Sequence, residues 1–153
     1  MARYTQGKSS VESDNQQNKS CPIATKDLPE NTKNRQFAIQ NYLYGPPNPQ
    51  RPSVWYWKRL AVMVWNVPDN EVTEEQLEDI KSMRCSNCVA FDISDRMEKC
   101  MPGPVTYAGK LGYCWMHDFK CASLRACSTW ASGGPIDDDD TSYDWQNRQA
   151  EKG

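Results

Sequence analysis

The apolar positions of this chain keep a regular period in two regions. Between Val54 and Trp65, the residues Trp57, Leu60, Ala61 and Val64 recur at three-and-four spacing, which lines one face of an α-helix, and Ser53 stands where an N-cap belongs. Trp55, Val62 and Trp65 lie off that stripe. A second side of the helix is therefore expected to be covered, by a crowded core or by another subunit. A second helix is predicted at Thr73-Glu-Glu-Gln76, which has the form of a capping box with acids in the first turn, where the helix dipole favours them. Leu77, Ile80 and Met83 give this helix a thin apolar stripe, and it delivers the chain to Cys85.

Elsewhere the periodicity fails. Residues 1–34 are rich in Ser, Asn, Gln and Lys, too polar to offset chain entropy by burial, and are expected to form a flexible arm that orders only on a partner. The aromatic segment Phe37–Tyr44 runs into Gly45–Pro52, where four prolines in eight residues leave no room for a helix or a central strand. Pro102, Gly103, Pro104, Gly109 and Gly112 punctuate loops. After Gly133-Gly-Pro-Ile136, the carboxylates Asp137 to Asp140 are expected to repel one another and stay solvated. The chain thus divides into an arm (1–34), a helical and proline-rich scaffold (35–84), a cysteine-rich module (85–136) and an acidic C-terminal tail (137–153). The expected fold is small and irregular: two or three short helices and loops, with a short β-hairpin near Val105–Tyr113, organised around a metal cluster.

Composition narrows the classes. The length of 153 residues accommodates one domain. A mean hydropathy of -0.84 and only 3 Phe leave 6 Trp and 7 Tyr to supply much of the burial. A net charge of -2 and a pI near 5.4 argue against nonspecific nucleic-acid binding, which needs a basic footprint. The N-terminus has no apolar signal region, and no run reaches the roughly 18 apolar residues of a membrane span. The cytoplasm, or a particle assembled there, is the expected location. A single histidine and the absence of a P-loop, nucleophile elbow or dinucleotide fingerprint give little support to hydrolytic enzymology. A cysteine nucleophile paired with His117 is the remaining catalytic alternative, and a non-enzyme is expected.

The candidate chemistry lies in the cysteines. Six of the seven follow the order Cys85-x2-Cys88-x11-Cys100-x13-Cys114-x6-Cys121-x5-Cys127, and Cys21 stands apart in a polar region. In a reducing compartment such a cluster points to metal more often than to disulfides. Three readings stay open. Six cysteines allow about fifteen disulfide pairings, none selected by spacing. A zinc ion would use the close pair with later thiols or with His117. A [4Fe-4S] cluster wants four thiolates from one tight pair and separate loops, shielded by aromatics, and Phe91, Tyr107, Tyr113, Trp115, Phe119 and Trp130 lie nearby in sequence.

Cys85-Ser-Asn-Cys88, Glu98-Lys-Cys100-Met-Pro-Gly-Pro104 and Gly112-Tyr-Cys114-Trp115 together resemble the motif of the high-potential iron–sulfur proteins, over about 30 of the 153 residues. The resemblance implies Cys85, Cys88, Cys100 and Cys114 as cluster ligands. Two features depart from the family pattern: the interval between Cys88 and Cys100 is short, and Cys121 and Cys127 have no counterpart, so either could replace one of the four. From Phe37 to Ile136 the order of motifs is also similar to small virion-associated proteins of tailed phages that infect marine bacteria. That resemblance implies a structural or assembly protein of a capsid, neck or tail, located in the virion, with other virion proteins as partners in a multi-copy assembly and no direct contact with membrane or nucleic acid. Electron transfer and a zinc-stabilised binding module are the alternative functions.

Overall fold

The structure, a computed structural model, describes residues 20–51, 53–103 and 106–152. Two helices open it: α1, Ile23–Lys26, and α2, Leu28–Tyr42. Asp27 caps α2 by accepting the Glu30 amide, and a proline sits in the first turn, where its missing N–H costs nothing. Residues 28–34 are thus helical and lie outside any arm, whereas residues 1–19 of the predicted arm fall outside the described residues. Overall polarity concealed this helix, because it buries only Asn31 and Ala38. Hydrogen bonds hold it instead. Asn31 Oδ1 accepts the Lys120 amide at 2.7 Å, and Asn34 Nδ2 donates to the Asp118 carbonyl at 2.7 Å.

The two predicted helices form as read. Helix α3 spans Val54–Trp65 with Ser53 accepting the Tyr56 amide, and α4 spans Glu74–Lys81 with both hydrogen bonds of the Thr73/Gln76 capping box present. They pack on each other around Tyr56, Trp57, Leu60, Ala61, Leu77 and Ile80, with Ala126 completing the cluster. The second side of α3 is only partly covered. Val62 and Trp65 are half-buried, but Trp55 is 65 % exposed, so the chain's own core does not cover the second side there.

The remaining core surrounds a three-stranded antiparallel sheet in the order β1 (Phe91–Asp92), β2 (Leu111–Cys114), β3 (Phe119–Ala122). Within the predicted 105–113, Thr106 and Gly109 exchange backbone hydrogen bonds across a tight antiparallel turn, with Val105 outside the described residues, and the longer hairpin is β2–β3 downstream. Helix α5, Asp95–Cys100, follows β1, and helix α6, Asp139–Lys152, packs beside it. The acidic run begins this last helix instead of forming a tail. Asp138 accepts from the amide and hydroxyl of Thr141, and Asp139 accepts the Arg96 amide. The three elements meet at fully buried Asp92, which accepts from the Ser94 amide at 2.9 Å, from Trp115 Nε1 at 2.8 Å and from the Ser142 hydroxyl. Among the described residues no helix is long and apolar enough to cross a membrane.

Candidate metal centre

Five thiols converge on one side of the sheet. Cys85 opens a 3-10 turn, Cys85–Asn87, which Cys88 ends, and the Cys85 amide donates to the Arg125 carbonyl at 2.7 Å. That bond ties the Cys85-x2-Cys88 turn to the loop carrying Cys127. In the sheet, Phe91 pairs with Cys114, Cys114 with Phe119, and Gly112 with Cys121. Directly opposed residues of antiparallel strands share a face, so Phe91, Cys114, Phe119 and Cys121 point the same way. Gly112 leaves room for the Phe91 ring, whose atoms would lie 2.5 Å from any Cβ there. Gly134 lies so close to the Cys88 carbonyl that a Cβ would collide with it, which seats the Gly133-Gly-Pro135 loop on the cysteine turn. Cys85, Cys88, Cys114, Cys121 and Cys127 then line a small apolar cavity with Phe91, Met116, Thr129 and Trp130. The first four thiols are buried and Cys127 is half-buried.

The backbone amides of Ala90 and Ala131 beside Cys88, and of Met116 and His117 beside Cys114, favour the thiolate form of each. Cys127 receives the Thr129 amide and lies 3.1 Å from the Thr129 hydroxyl. Cys121 lies against the sulfurs of Cys114 and Cys85, and either thiol of each pair can be the donor. The Cys121 hydrogen bond, aided by the two amides, lowers the Cys114 pKa against the opposing effect of burial. Burial raises Cys88, pushes Cys127 up to about 12, and drives Cys121 well above the usual thiol range, where its bonds to the neighbouring sulfurs hold the proton further. Burial thus keeps protons on most of these sulfurs, while aimed amides are ready for negative charge.

The ligand set implied by the resemblance needs one correction. Cys85, Cys88 and Cys114 meet at the cavity, but Cys100 ends α5 on another side and forms a disulfide with Cys21. Arg96, one turn earlier on α5, donates to the Ser20 carbonyl at 3.0 Å and holds the same two segments together. Cys21, set aside on its polar surroundings, is therefore the partner that removes Cys100. His117 is also not at the cavity. Its ring stacks on Tyr42 with centroids 4.6 Å apart, and Nε2 lies 2.7 Å from Thr129 Oγ1. Spacing alone missed Thr129 and Met116. A hydroxyl residue two places beyond Cys127 was the available signal for Thr129; nothing marked Met116.

Among the described residues, no group of three or more His, Cys, Asp or Glu side chains is placed to hold a metal ion. Comparison with protein-family models, with characterised proteins and with solved structures finds no match for this chain.

Proposed function

We propose that this chain is a small iron–sulfur protein in which Cys85, Cys88, Cys114 and Cys127 hold one [4Fe-4S] cluster while Cys121 remains a thiol beside them. The observation that carries this reading is the gathering of five thiols at one apolar cavity, with Cys121 held well above the usual thiol range by burial and Cys127 resting 3.1 Å from the Thr129 hydroxyl. Amide donors stabilise cluster-bound thiolates and tune their potential, and an apolar wall excludes water. Bound there, the cluster would supply cross-links among segments that share little regular structure, together with a one-electron couple. The chain's own residues set the rest. Phe91 and Trp130 shield the sulfurs, Gly134 fixes the Cys88 turn, and Thr129 orients Cys127.

We assign the protein a structural role in assembly of a tailed-phage particle, with other virion proteins as partners. Support comes from the order of sequence motifs and from the exposed apolar side chains Val54, Trp55 and Met63 on α3, which give an unpartnered face suited to a neighbouring subunit. Electron transfer is the second reading, favoured by the half-buried Cys127, which brings one edge of the cavity near solvent.

Anaerobically purified protein should contain about four iron and four acid-labile sulfide per chain. Cys127→Ser should abolish that content, whereas Cys121→Ser and Cys100→Ser should retain it. Zinc without sulfide would overturn the cluster reading, and loss of iron in Cys121→Ser but not in Cys127→Ser would overturn the ligand set. A reversible one-electron wave from a monomer that does not associate would replace the assembly role with electron transfer.

A further inference from the structure

A second cavity, of about 590 Å³, opens where α1 and α2 meet the β2–β3 turn and α6, and Met116 is the one residue it shares with the thiol cavity. Much of its wall is aromatic. The Tyr42 ring stacks on His117 with centroids 4.6 Å apart, Phe37 stands 6.1 Å from Tyr42, and Trp115 also lines the space. Phe37 is 56 % exposed, which places it at the mouth. Two carboxylates, Asp118 and Glu30, line the same cavity, and no Lys or Arg is among its lining residues. Asp118 Oδ1 accepts the Tyr113 hydroxyl at 3.2 Å, whereas Oδ2 accepts nothing among the described residues and is not closed off from solvent. Glu30 is close by: Asn34 Nδ2 donates to the Asp118 carbonyl at 2.7 Å and sits 3.4 Å from Glu30 Oε2. Lys33 reaches Glu30 Oε1 at 3.1 Å, but its side chain is 71 % exposed, and a surface pair of that kind is held weakly.

We propose that this cavity binds a small organic ammonium ion with an aromatic body, its charge against Asp118 and Glu30 and its body against Phe37 and Tyr42. The volume falls within the roughly 300–1,000 Å³ of pockets that enclose a small molecule, so there is room for the body as well as the charge. Two carboxylates with no cation among the lining residues set a negative potential between low-dielectric walls, which focuses it on an entering cation. The faces of aromatic rings attract the same charge through their quadrupole. A bare metal ion is served less well. Hard cations take about six or more oxygen ligands, and among the described residues no group of three or more acidic, cysteine or histidine side chains is placed to hold one. An ammonium group needs only an open carboxylate oxygen and water for its donors, and Asp118 Oδ2 supplies the first.

Isothermal titration calorimetry on the full chain tests the assignment at constant ionic strength, with phenethylammonium, butylammonium and phenethyl alcohol as probes. Phenethylammonium should saturate one site. Butylammonium, which has the charge without the ring, should bind more weakly, and phenethyl alcohol, which has the ring without the charge, should not saturate. Asp118→Asn should weaken phenethylammonium about tenfold or more, because it removes the charge while keeping the oxygen that Tyr113 uses. Phe37→Ala, at an exposed position, should weaken it about threefold. Glu30→Gln should fall between these two and serves as the test should the Asp118 variant misfold. Absence of saturable phenethylammonium binding below about 10 mM, equal binding of phenethyl alcohol, or unchanged affinity in both carboxylate variants would overturn the site. Displacement by an equal concentration of calcium would replace the organic cation with a metal ion. Binding of N-acetyl-lysine methylamide as tight as that of phenethylammonium, and dependent on Asp118, would replace the free amine with a lysine side chain of a partner protein.

Discussion

The helix pair α3–α4 and the sheet with its thiols are built on different principles. The helix pair buries Trp57, Leu60, Ala61, Leu77 and Ile80 against one another, and both helices begin at side-chain caps. Its stability is spread over apolar area, at about 25 cal/mol per Å² removed from water, so no single atom decides it. The sheet half has strands of only 2, 4 and 4 residues and depends on discrete bonds. These are the donors around Asp92, the edge contacts of Tyr113 with Trp115 and of Tyr44 with Phe119, and whatever joins the thiols. Such bonds are either made or left as buried unpaired groups, which makes them steeper than packing. The halves also communicate. Ala126 packs in the helix core while its neighbour Cys127 lines the thiol cavity, and Arg84 lies over the Trp57 ring while donating to the Leu124 carbonyl at 2.7 Å.

The largest effect should follow removal of one side chain from the sheet half. Asp92→Ala strands the Ser94 amide, the Trp115 indole N–H and the Ser142 hydroxyl in a fully buried site, at a cost of about 4–5 kcal/mol. Amide exchange should show β1, β2 and α6 losing protection together while α3 keeps most of its own. Leu60→Ala, at the centre of the helix pair, should cost about 3 kcal/mol and loosen α3 and α4 first. If Leu60→Ala proves the more damaging, or if both substitutions melt the two halves in one indistinguishable step, the contrast between them is false.

The same contrast governs what the sequence made legible. Helix α3 and helix α4 were readable because periodic apolar positions and a capping box are local signals, and the structure forms both where they were expected. Helix α2 was concealed because Asn31 and Asn34 hold it to residues about 85 positions away. Helix α6 was concealed because four adjacent aspartates look like a solvated tail until Asp138 caps Thr141 and Ser142 reaches Asp92. At the thiol cavity, three of the four cysteines implied by the resemblance meet. The fourth was misassigned because a disulfide across 79 positions leaves no trace in spacing.

A smaller effect tests whether the helix half is as distributed as its core implies. Thr73→Ala removes the hydroxyl that accepts the Gln76 amide and breaks the capping box of α4. The expected cost is about 1 kcal/mol, measured by urea denaturation with an unchanged slope. It should leave the exchange of β2 and β3 amides unaltered. Parallel deprotection of the sheet would show that α4 is part of the same cooperative unit as the thiol half.

The smallest effect concerns a cost within the sheet half. Asp118 sits in the β2–β3 turn at φ 55, in the left-handed region, with its carboxylate accepting the Tyr113 hydroxyl at 3.2 Å. Burial, with a further contribution from Glu30, raises its pKa above the usual 3.8, and the Tyr113 hydrogen bond only partly offsets the rise. Between the unfolded and folded pKa values the folded chain holds more protons, so this group makes stability fall as pH rises through that window. Above the window its ionised form is a standing cost. Asn suits the left-handed backbone and keeps the oxygen that Tyr113 needs while removing the charge. Asp118→Asn should therefore melt about 1–2 °C higher than the parent at neutral pH, with the difference vanishing below the unfolded pKa, where both side chains are neutral. A variant less stable at neutral pH, or a gap that widens on acidification, would mean that the ionised Asp118 stabilises the hairpin, making that turn another of the discrete bonds on which the sheet half depends.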